Sequence, residues 1–338
     1  MSKILILKND RVGDLANSLR GINSVLYENR DNKVEIVLSD ISKDLSFLFK
    51  LKNVKITYLK YSLNFFDKVK LLLKIITSNF EKIYILAPKN IYFYLPLICI
   101  SKFFAITITS KNKTRPFKYL RSKLYSYRDN NRESRKIGQS ISNLIEDLCN
   151  ENKNLYPNIL NNVPNLSLLL NENISLISNF IHIHYKENIF SKNGWSLDNF
   201  IDLLNSLKHY NYKVIFTSDL GNFSYHNIFL SKFSNLNFSS KISNLNPNSK
   251  IHYLHNIKTQ DLFKVIDLSN AVISPHGAMT VLASYLNKNV IDIFDTNITS
   301  NSFHEYKPKN SNYKFLILSN NKNKVKNKIL KNLNEFKF

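Results

Sequence analysis

An acidic residue at the end of a strand pattern is the first candidate for chemistry. The segment Ile4–Leu15 reads ILILKNDRVGDL: an apolar run, a loop in which Gly13 permits tight backbone geometry, and then Asp14. Active sites of open parallel sheets form at the carboxyl ends of strands, where a carboxylate can accept a proton from an attacking hydroxyl. The alternative is structural, because Asp is a preferred N-cap and Asp14 would then cap the helix pattern Leu15–Tyr27.

A second candidate site lies in the segment Ala271–Ala283, which reads AVISPHGAMTVLA. Here a strand pattern runs into a turn of small residues and then into a helix pattern. Backbone amides and the positive dipole end at such a helix start suit a diphosphate. Gly277 and Ala278 let a ligand approach the backbone closely. The alternative is an ordinary strand–helix turn in which the histidine caps or packs.

The elements that must position Asp14 alternate between strand and helix patterns. Helix patterns lie at Leu15–Tyr27 and at Leu63–Phe80, the latter with apolar residues at helical spacing: Phe65, Val69, Leu72 and Ile76. Between them are short, mostly apolar runs typical of central strands in a parallel sheet: Lys3–Leu7, Val34–Leu38, Val54–Leu59, Ile83–Leu86 and Phe104–Thr109. This alternation predicts a doubly wound α/β sheet.

The second half of the chain repeats the same alternation. Strand patterns lie at Phe180–Tyr185, Lys213–Thr217, Ala271–Ser274 and Val290–Phe294. Helix patterns lie at Ser196–Tyr210 with Ser196 as N-cap, at Thr259–Leu268, from Gly277 onward and at Lys322–Phe336. The Asn/Pro-rich stretch Asn150–Asn165 has little periodicity. We therefore predict Rossmann-like domains over 1–160 and 161–315 and a basic amphipathic helix over 316–338, with ligands in the cleft between the domains.

Composition limits the class of protein. A length of 338 residues suits two α/β domains, and 43% hydrophobic residues exclude wholesale disorder. The net charge of +22 favours an acidic partner, such as nucleic acid, anionic lipid or a phosphorylated substrate. The alternative explanation of this charge is a coding bias of the genome that raises the lysine content throughout the chain. The basic residues are spread along the chain, which argues against a dedicated nucleic-acid binder.

Cysteine and apolar patterns favour the cytoplasm. Cys99 and Cys149 are too few for a disulfide framework and form no CxxC pair. The apolar run Ile4–Leu7 is too short for a signal peptide, and the run Ile91–Thr107 is interrupted and shorter than the ~20 residues of a membrane span. His182 and His184 share a strand face without a nearby third ligand, so no metal site is predicted.

Three segments resemble glycosyltransferase family 9, the lipopolysaccharide heptosyltransferases, over essentially the full chain. The opening KILILKNDRVGDLANSLRGINSV resembles the family's strand–Gly-Asp–helix start. GWSLDNFIDLLNSLKHYNYKVIFTSD resembles its tryptophan–helix–strand segment, and TQDLFKVIDLSNAVISPHGAMTVLASYLNKNVIDIF resembles its donor-site strand–turn–helix–strand. The resemblance implies an α/β GT-B fold, in which two Rossmann-like domains face each other across a cleft. The acceptor would bind to the first domain and the nucleotide sugar to the second.

The resemblance also implies a reaction and a set of residues. An ADP-heptose-like donor would pass its sugar, with inversion and without metal or cofactor, to a lipopolysaccharide-type glycolipid or other cell-surface glycan. The family's catalytic base falls on Asp14, beside the predicted acceptor-binding residues Arg11 and Gly13. Its phosphate-binding lysine falls near Lys192, although the spacing to Trp195 is one residue longer than in the family. The remaining donor-binding predictions are Ser274, His276, Gly277, Ala278, Met279 and Thr280.

The donor turn departs from the family pattern. His276 stands where the family has Asp, and Val281 stands where the family has a histidine. An imidazole can donate to a phosphate, so His276 can supply the missing group from the turn. No residue matches the glutamate that would hold the ribose, although Asp219 is nearby. A GT-B transferase that uses a different nucleotide sugar therefore stays open, as does a non-catalytic nucleic-acid-binding protein.

A basic, aromatic stretch covers residues Lys111–Arg128, KNKTRPFKYLRSKLYSYR. Lys and Arg attract anionic lipid headgroups or a phosphorylated lipid-sugar acceptor, and Phe and Tyr suit the membrane interface. This pattern predicts a cytoplasmic protein that lies peripherally on the inner face of the membrane. The alternative is a solvated loop, because charged runs usually face water.

Overall fold

The fold is described from a computed structural model. It describes residues 2–108, 115–130, 140–150, 179–209, 212–218, 237–239, 249–297 and 312–336, with residues 228, 231, 303 and 307. The chain divides into two compact units, Met1–Leu166 with Thr299–Lys309 and Ser167–Ile298 with Asn310–Phe338. The predicted boundary at residues 160/161 lies outside the described residues and stays a prediction. No helix among the described residues is long and apolar enough to cross a membrane.

Within the described residues, the first unit contains a six-stranded sheet in the order β3-β2-β1-β4-β5-β6. Its strands are β1 Lys3–Lys8, β2 Lys33–Ser39, β3 Val54–Leu59, β4 Lys82–Ile85, β5 Lys102–Ile108 and β6 Ser126–Asn130. All pairs are parallel, as the apolar runs of β1 to β5 predict, whereas β6 was not predicted. The strand order reverses beside β1, so the carboxyl end of β1 is the topological switch point at which open sheets bind ligands.

Of the two helices predicted in the first unit, Leu63–Phe80 is found two to three residues shorter at each end, and Leu15–Tyr27 is divided. The helices of this unit are α1 Val12–Ala16, α2 Leu19–Glu28, α3 Phe65–Thr77, α4 Arg115–Ser122 and α5 Ile141–Cys149, with 3₁₀ helices at Asp40–Phe49 and Asn90–Leu97. The single helix predicted over Leu15–Tyr27 is divided at Ser18, whose hydroxyl donates to the carbonyl oxygen of Asp14 over 3.0 Å. Arg11 is the N-cap of α1, so the capping interpretation of Asp14 is wrong.

The described part of the second unit contains a seven-stranded parallel sheet in the order β13-β12-β11-β7-β8-β10-β9. Its strands are β7 Phe180–Tyr185, β8 Lys213–Ser218, β9 Asn237–Ser239, β10 Ile251–Leu254, β11 Ala271–Pro275, β12 Asn289–Phe294 and β13 Tyr313–Ile317. Its helices are α6 Glu187–Lys192, α7 Leu197–His209, α8 Thr259–Leu268, α9 Ala278–Tyr285 and α10 Lys322–Glu335. The strand and helix predictions of this half are confirmed to within a residue or two, and the Ser196 hydroxyl accepts from the amide of Asn199 as an N-cap does.

Three strands of the second unit were not predicted: β9, β10 and β13. β13 is an edge strand in which Phe315 and Ile317 are exposed, so its sequence lacks the continuous apolar pattern of the central strands. It pairs with β12, and α10 follows it. Apolar residues of α10 pack into the same core as the central strands: Val325, Ile329, Leu330 and Leu333. The basic terminal helix therefore has one buried face.

Candidate functional site

The carboxyl end of β1 is held by buried polar contacts. The Lys8 ammonium is 3% exposed, lies 3.0 Å from Asp10 Oδ2 and donates to the carbonyl oxygen of Leu86 over 3.1 Å. The Tyr92 hydroxyl donates to Asn9 Oδ1 over 2.6 Å, and burial raises the pKa of this phenol, so it stays protonated. These bonds fix the loop between β1 and α1. Active sites commonly depend on polar groups that are held in place in this way before the substrate binds.

Asp14 lies in the first turn of α1, is partly buried and interacts with the charge of Arg11. The Arg11 side chain is exposed and donates from Nε to the Tyr61 hydroxyl over 3.2 Å. The pKa of Arg11 is raised, first by this hydrogen bond and then by charges that include Asp14 and Asp10. Lys89 donates to the carbonyl oxygen of Tyr61 over 2.9 Å, and burial lowers its pKa. Arg11 and Lys89 thus meet at Tyr61, and Arg11 brings a positive charge near Asp14.

Gly13 does not form the predicted tight turn. It lies within α1 and is not among the residues with positive φ, so the tight-turn explanation is wrong. A Cβ at Gly13 would meet nothing within 4 Å. The absence of a side chain leaves open space one residue before Asp14, which is compatible with the predicted contact between Gly13 and an acceptor.

In the second unit, the turn between β11 and α9 brings together an ammonium group and backbone amides. A Cβ on Gly277 would lie 2.8 Å from Lys186 Nζ, so the lysine that follows β7 reaches over the glycine. The Thr280 hydroxyl donates to the Gly277 carbonyl oxygen over 3.0 Å and accepts from the Gly277 amide over 3.3 Å. A cation beside the amides of a helix start forms a site for an anion such as phosphate.

The ring of His276 is fixed by a buried acid. Its Nδ1 lies 2.7 Å from Asp292 Oδ2, and the Tyr313 hydroxyl donates to the same oxygen over 2.7 Å. The imidazole stacks on Phe294, with ring centroids 4.6 Å apart. Burial, and then the charge of Asp292, raise the pKa of Tyr313, so its hydroxyl remains a donor. The acid therefore fixes the tautomer and the plane of the imidazole.

The predicted donor-binding residues of this turn separate into two groups. His276, Gly277 and Ala278 are partly exposed, whereas Ser274, Met279 and Thr280 are buried. The Ser274 hydroxyl donates to the carbonyl oxygen of Pro275 over 2.9 Å. The buried hydroxyls therefore shape the turn from within, and the exposed residues present its surface.

Lys192 lies at the end of α6 and is exposed. The loop that follows is anchored: Asn193 Oδ1 accepts from the amide of Thr296 over 3.1 Å, and Trp195 donates from Nε1 to the carbonyl oxygen of Ser319 over 3.2 Å. Trp195 is 2% exposed and packs in the core. Sequence reasoning missed Lys186, although its position directly after a predicted strand was a signal for it.

The histidines of β7 are core residues. His182 Nε2 and His184 Nδ1 each lie 2.9 Å from the Thr217 hydroxyl oxygen, and both rings are buried. Burial, and then the neighbouring His184, lower the pKa of His182 to about 3. In the part of the chain that the structure describes, no group of three or more His, Cys, Asp or Glu side chains could hold a metal ion.

Comparison with known proteins gives matches to solved structures only. No family model and no curated protein matches the chain. The E. coli ADP-heptose lipopolysaccharide heptosyltransferase II is similar, with a TM-score of 0.63 and 13% identity over 99% of this chain and 98% of that one. E. coli heptosyltransferase WaaC has a TM-score of 0.64 and 11% identity over 98% of this chain and 99% of that one. A UDP-GlcNAc 2-epimerase from Methanocaldococcus jannaschii has a TM-score of 0.56 and 13% identity over 98% of this chain and 92% of that one.

The chain has the GT-B fold. The predicted fold class is thereby confirmed, and the resemblance to heptosyltransferases extends to the structure. In this GT-B chain, Asp14 follows β1 of the first sheet. In the second sheet, Lys186 follows β7 and Gly277 follows β11. Identities of 9 to 13% show a shared fold, so the roles of individual residues depend on the geometry described above.

Proposed function

We propose that this protein is an inverting glycosyltransferase. It moves a sugar, heptose in the leading version, from a nucleoside diphosphate to a hydroxyl of a lipopolysaccharide-type or other cell-surface glycan. The observation that carries the proposal is the Lys186 ammonium over Gly277 at the start of α9. A cation and backbone amides at one exposed turn suit the diphosphate of such a donor.

The donor side of the proposed reaction stabilises the leaving group. As the bond between the anomeric carbon and the phosphate oxygen breaks, its electron pair goes to the diphosphate. Lys186 and the amide at Ala278 would stabilise that charge, and His276, whose Nδ1 faces Asp292, would donate to it from Nε2 in its doubly protonated form. Lys192 is a second candidate for a phosphate contact. With these groups in place, the proposed transfer requires neither a metal ion nor another cofactor.

The acceptor side of the proposed reaction requires a base. The acceptor hydroxyl oxygen forms a bond to the anomeric carbon on the face opposite the leaving group, and its proton passes to the carboxylate of Asp14. General-base catalysis contributes roughly 10²–10⁴ in rate. Arg11 and Gly13, adjacent to this carboxylate in α1 and its cap, would contact the acceptor. The domain roles predicted from the sequence, with acceptor on the first and donor on the second, remain part of this proposal.

Ligands of similar proteins define the donors to be tested. One similar structure contains heptosyltransferase WaaC with ADP-2-deoxy-2-fluoro heptose, and another contains UDP-GlcNAc 2-epimerase bound to UDP-GlcNAc. We favour an ADP-heptose-like donor and a cytoplasmic protein that works at the inner face of the membrane on a glycolipid acceptor, without a nucleic-acid partner. A GT-B transferase for another nucleotide sugar is the second candidate, because the His276 turn departs from the family pattern.

The test combines donor binding with one substitution. Calorimetric titration with ADP-heptose, UDP-GlcNAc and other nucleotide sugars should give saturable binding of one donor. Asp14→Asn should retain that affinity, while nucleoside diphosphate release in the presence of lipopolysaccharide core acceptor falls about 100-fold or more, because the base is lost. Asp31→Asn, a 93% exposed acid of the same unit, is the matched control and should behave as wild type.

Two results would contradict the proposal. Turnover of Asp14→Asn near that of the Asp31→Asn control would exclude Asp14 as the base. Absence of saturable binding for every nucleotide sugar, together with salt-dependent binding of random RNA, would favour the nucleic-acid-binding alternative.

A further inference from the structure

One helix of the first unit has its apolar side chains in solvent. Within α3, whose residues are all described, Leu71 and Ile75 are the buried side chains. The opposite stripe is exposed: Phe65 by 72%, Phe66 by 80%, Val69 by 39%, Leu73 by 57% and Ile76 by 38%. These five residues are called the α3 face. Spacings of three and four residues place them on one side of the helix.

The sequence spacing therefore identified a stripe of α3 that mostly faces solvent, and a different stripe packs on the sheet. Phe65, Val69 and Ile76 have the predicted helical spacing but lie outward. The buried core contacts of α3 come from Leu71 and Ile75, one turn apart, and Leu72 is partly buried against the same core. An apolar face left in water is costly at roughly 25 cal/mol per Å². Large exposed apolar patches in soluble proteins mark sites of interaction.

Two other elements on the same side of the sheet also have apolar residues in solvent. Leu71 and Ile75 share a core cluster with Tyr92 of the 3₁₀ helix Asn90–Leu97 and with Leu120 of α4, so the three elements cover the same side of the sheet. Outward residues of these two elements are also apolar or aromatic: Tyr94 is 54% exposed, Leu97 46% and Tyr119 56%.

Positive charge borders the apolar residues. Lys68 and Lys70 of α3 are exposed, and Asp67 is the one acid within this helix. Lys118 of α4 and Lys123, which follows α4, are exposed, and Lys123 Nζ lies 5.2 Å from the ring centroid of Tyr119. A helix with Phe and Leu on one side and lysines beside them matches the helices that lie in membrane interfaces. Lysine is depleted at protein–protein interfaces, which argues against a protein partner.

We infer that the α3 face docks on an anionic phospholipid bilayer. In this arrangement α3 lies in the plane of the interface, with Phe66 and Leu73 among the acyl chains and Lys68 and Lys70 among anionic headgroups. The inference is independent of the proposed sugar transfer. It also places the membrane contact mainly on α3, whereas the sequence predicted it in the basic stretch 111–128.

Vesicle flotation of the full chain tests the inference. The protein should bind phosphatidylglycerol-containing vesicles and bind phosphatidylcholine vesicles at least about tenfold more weakly, since each lysine near an anionic surface contributes ~1 kcal/mol. Phe66→Ser/Leu73→Ser should lower the partition coefficient at least about tenfold, because two buried apolar groups are lost. Lys68→Gln/Lys70→Gln should weaken binding to anionic vesicles alone.

The matched control lies on the second unit. Phe315→Ser/Ile317→Ser replaces two side chains of β13 that are 42% and 47% exposed, and it should bind vesicles as wild type does. The α3 variants should keep the wild-type unfolding midpoint within a few degrees, because their side chains are exposed. They should also keep donor affinity in calorimetry, so a failure here is distinct from a failure of the proposed function.

Three outcomes would overturn the inference: no binding of the wild type to phosphatidylglycerol vesicles, equal loss of binding in the β13 control, or full binding by Phe66→Ser/Leu73→Ser. A fourth outcome would overturn the bilayer as the partner of the α3 face. If light scattering finds a dimer that Phe66→Ser/Leu73→Ser abolishes, the α3 face binds a second copy of the chain and not a bilayer.

Discussion

Gly277 leaves room for the Lys186 ammonium because it has no Cβ. A Cβ at this position would lie 2.8 Å from Lys186 Nζ. The contact joins residues 91 positions apart, from the ends of β7 and β11. Those strands are neighbours in the sheet, so their carboxyl ends lie together. At the residue scale, the donor turn is thus a glycine and a lysine that only the strand order brings into contact.

The two candidate phosphate ligands can be separated by substitution. Lys186→Ala should raise the donor Kd about 10- to 100-fold, because a hydrogen bond to a charged group contributes ~1.5–3 kcal/mol. Lys192→Ala should lower donor affinity and turnover together but by a smaller factor, since its side chain is exposed to screening by solvent. Calorimetry with the preferred donor measures both.

Lys208→Ala is the control for these two variants, because Lys208 is an exposed lysine of the same unit on α7. It should bind the donor as wild type does. Wild-type affinity in Lys186→Ala with a large loss in Lys192→Ala would reverse the assignment of the phosphate ligand.

At the scale of elements, three adjacent strands position one imidazole. His276 follows β11, Asp292 lies on β12 and Tyr313 begins β13. The parallel register pairs Ser274 with Asp292, which places this acid beside the turn. Asp292 is fully buried, and its Oδ1 has no hydrogen-bond partner among the described residues. Buried carboxyl groups are paired or hydrogen-bonded in folded proteins, and here the partners of Asp292 are His276 and Tyr313.

Substitution of the buried acid tests that role. Asp292→Asn keeps the side-chain volume but removes the negative charge that a doubly protonated His276 ring faces at Nδ1. The protonation of the two ring nitrogens should therefore change, and donor affinity should fall about 3- to 10-fold, on the ~1 kcal/mol scale of one hydrogen bond. ¹⁵N chemical shifts of the His276 ring report the tautomer, and calorimetry reports the affinity.

Tyr313→Phe is the companion variant. It removes one hydrogen bond to Asp292 but leaves the contact between His276 and Asp292, so ring shifts and donor affinity should stay close to wild type. If Asp292→Asn leaves the ring shifts unchanged, Asp292 has only a structural role.

At the scale of the whole molecule, buried histidines make folding depend on pH. The pKa of His182 falls from 6.5 to about 3, mainly through burial, and burial also lowers the pKa of His252. In the unfolded chain these rings take up protons near pH 6.5. Between about pH 6.5 and 3 the unfolded state therefore binds more protons, so acid favours unfolding.

Stability should accordingly fall as the pH is lowered from 7 to 4.5. One such histidine contributes a slope of up to ~1.4 kcal/mol per pH unit. His182→Asn keeps a polar partner for Thr217 but does not titrate, so its slope should be smaller by about that amount. Urea denaturation at several pH values measures the free energy of unfolding, and an unchanged slope in His182→Asn would contradict the assignment.

The local pattern of the sequence was sufficient for most elements. The helix Thr259–Leu268 and the strand Phe180–Tyr185 agree with the prediction at both ends, because apolar periodicity and strand-forming runs are properties of neighbouring residues. The position of Asp14 at a strand end and the turn at His276 followed from the same patterns. β13 was missed because an edge strand is half exposed, and the division at Ser18 because a local hydroxyl contact interrupts a regular helix pattern.

The sequence by itself thus determined two doubly wound domains and the two strand ends at which chemistry is proposed. Tertiary structure decided which distant residues meet there: Lys186 over Gly277, Asp292 and Tyr313 around His276, and the outward orientation of the α3 face. The physical reason is that strand order and helix packing depend on burial of the whole core. Spacing along the chain gives the period of an element but not the neighbour against which it packs.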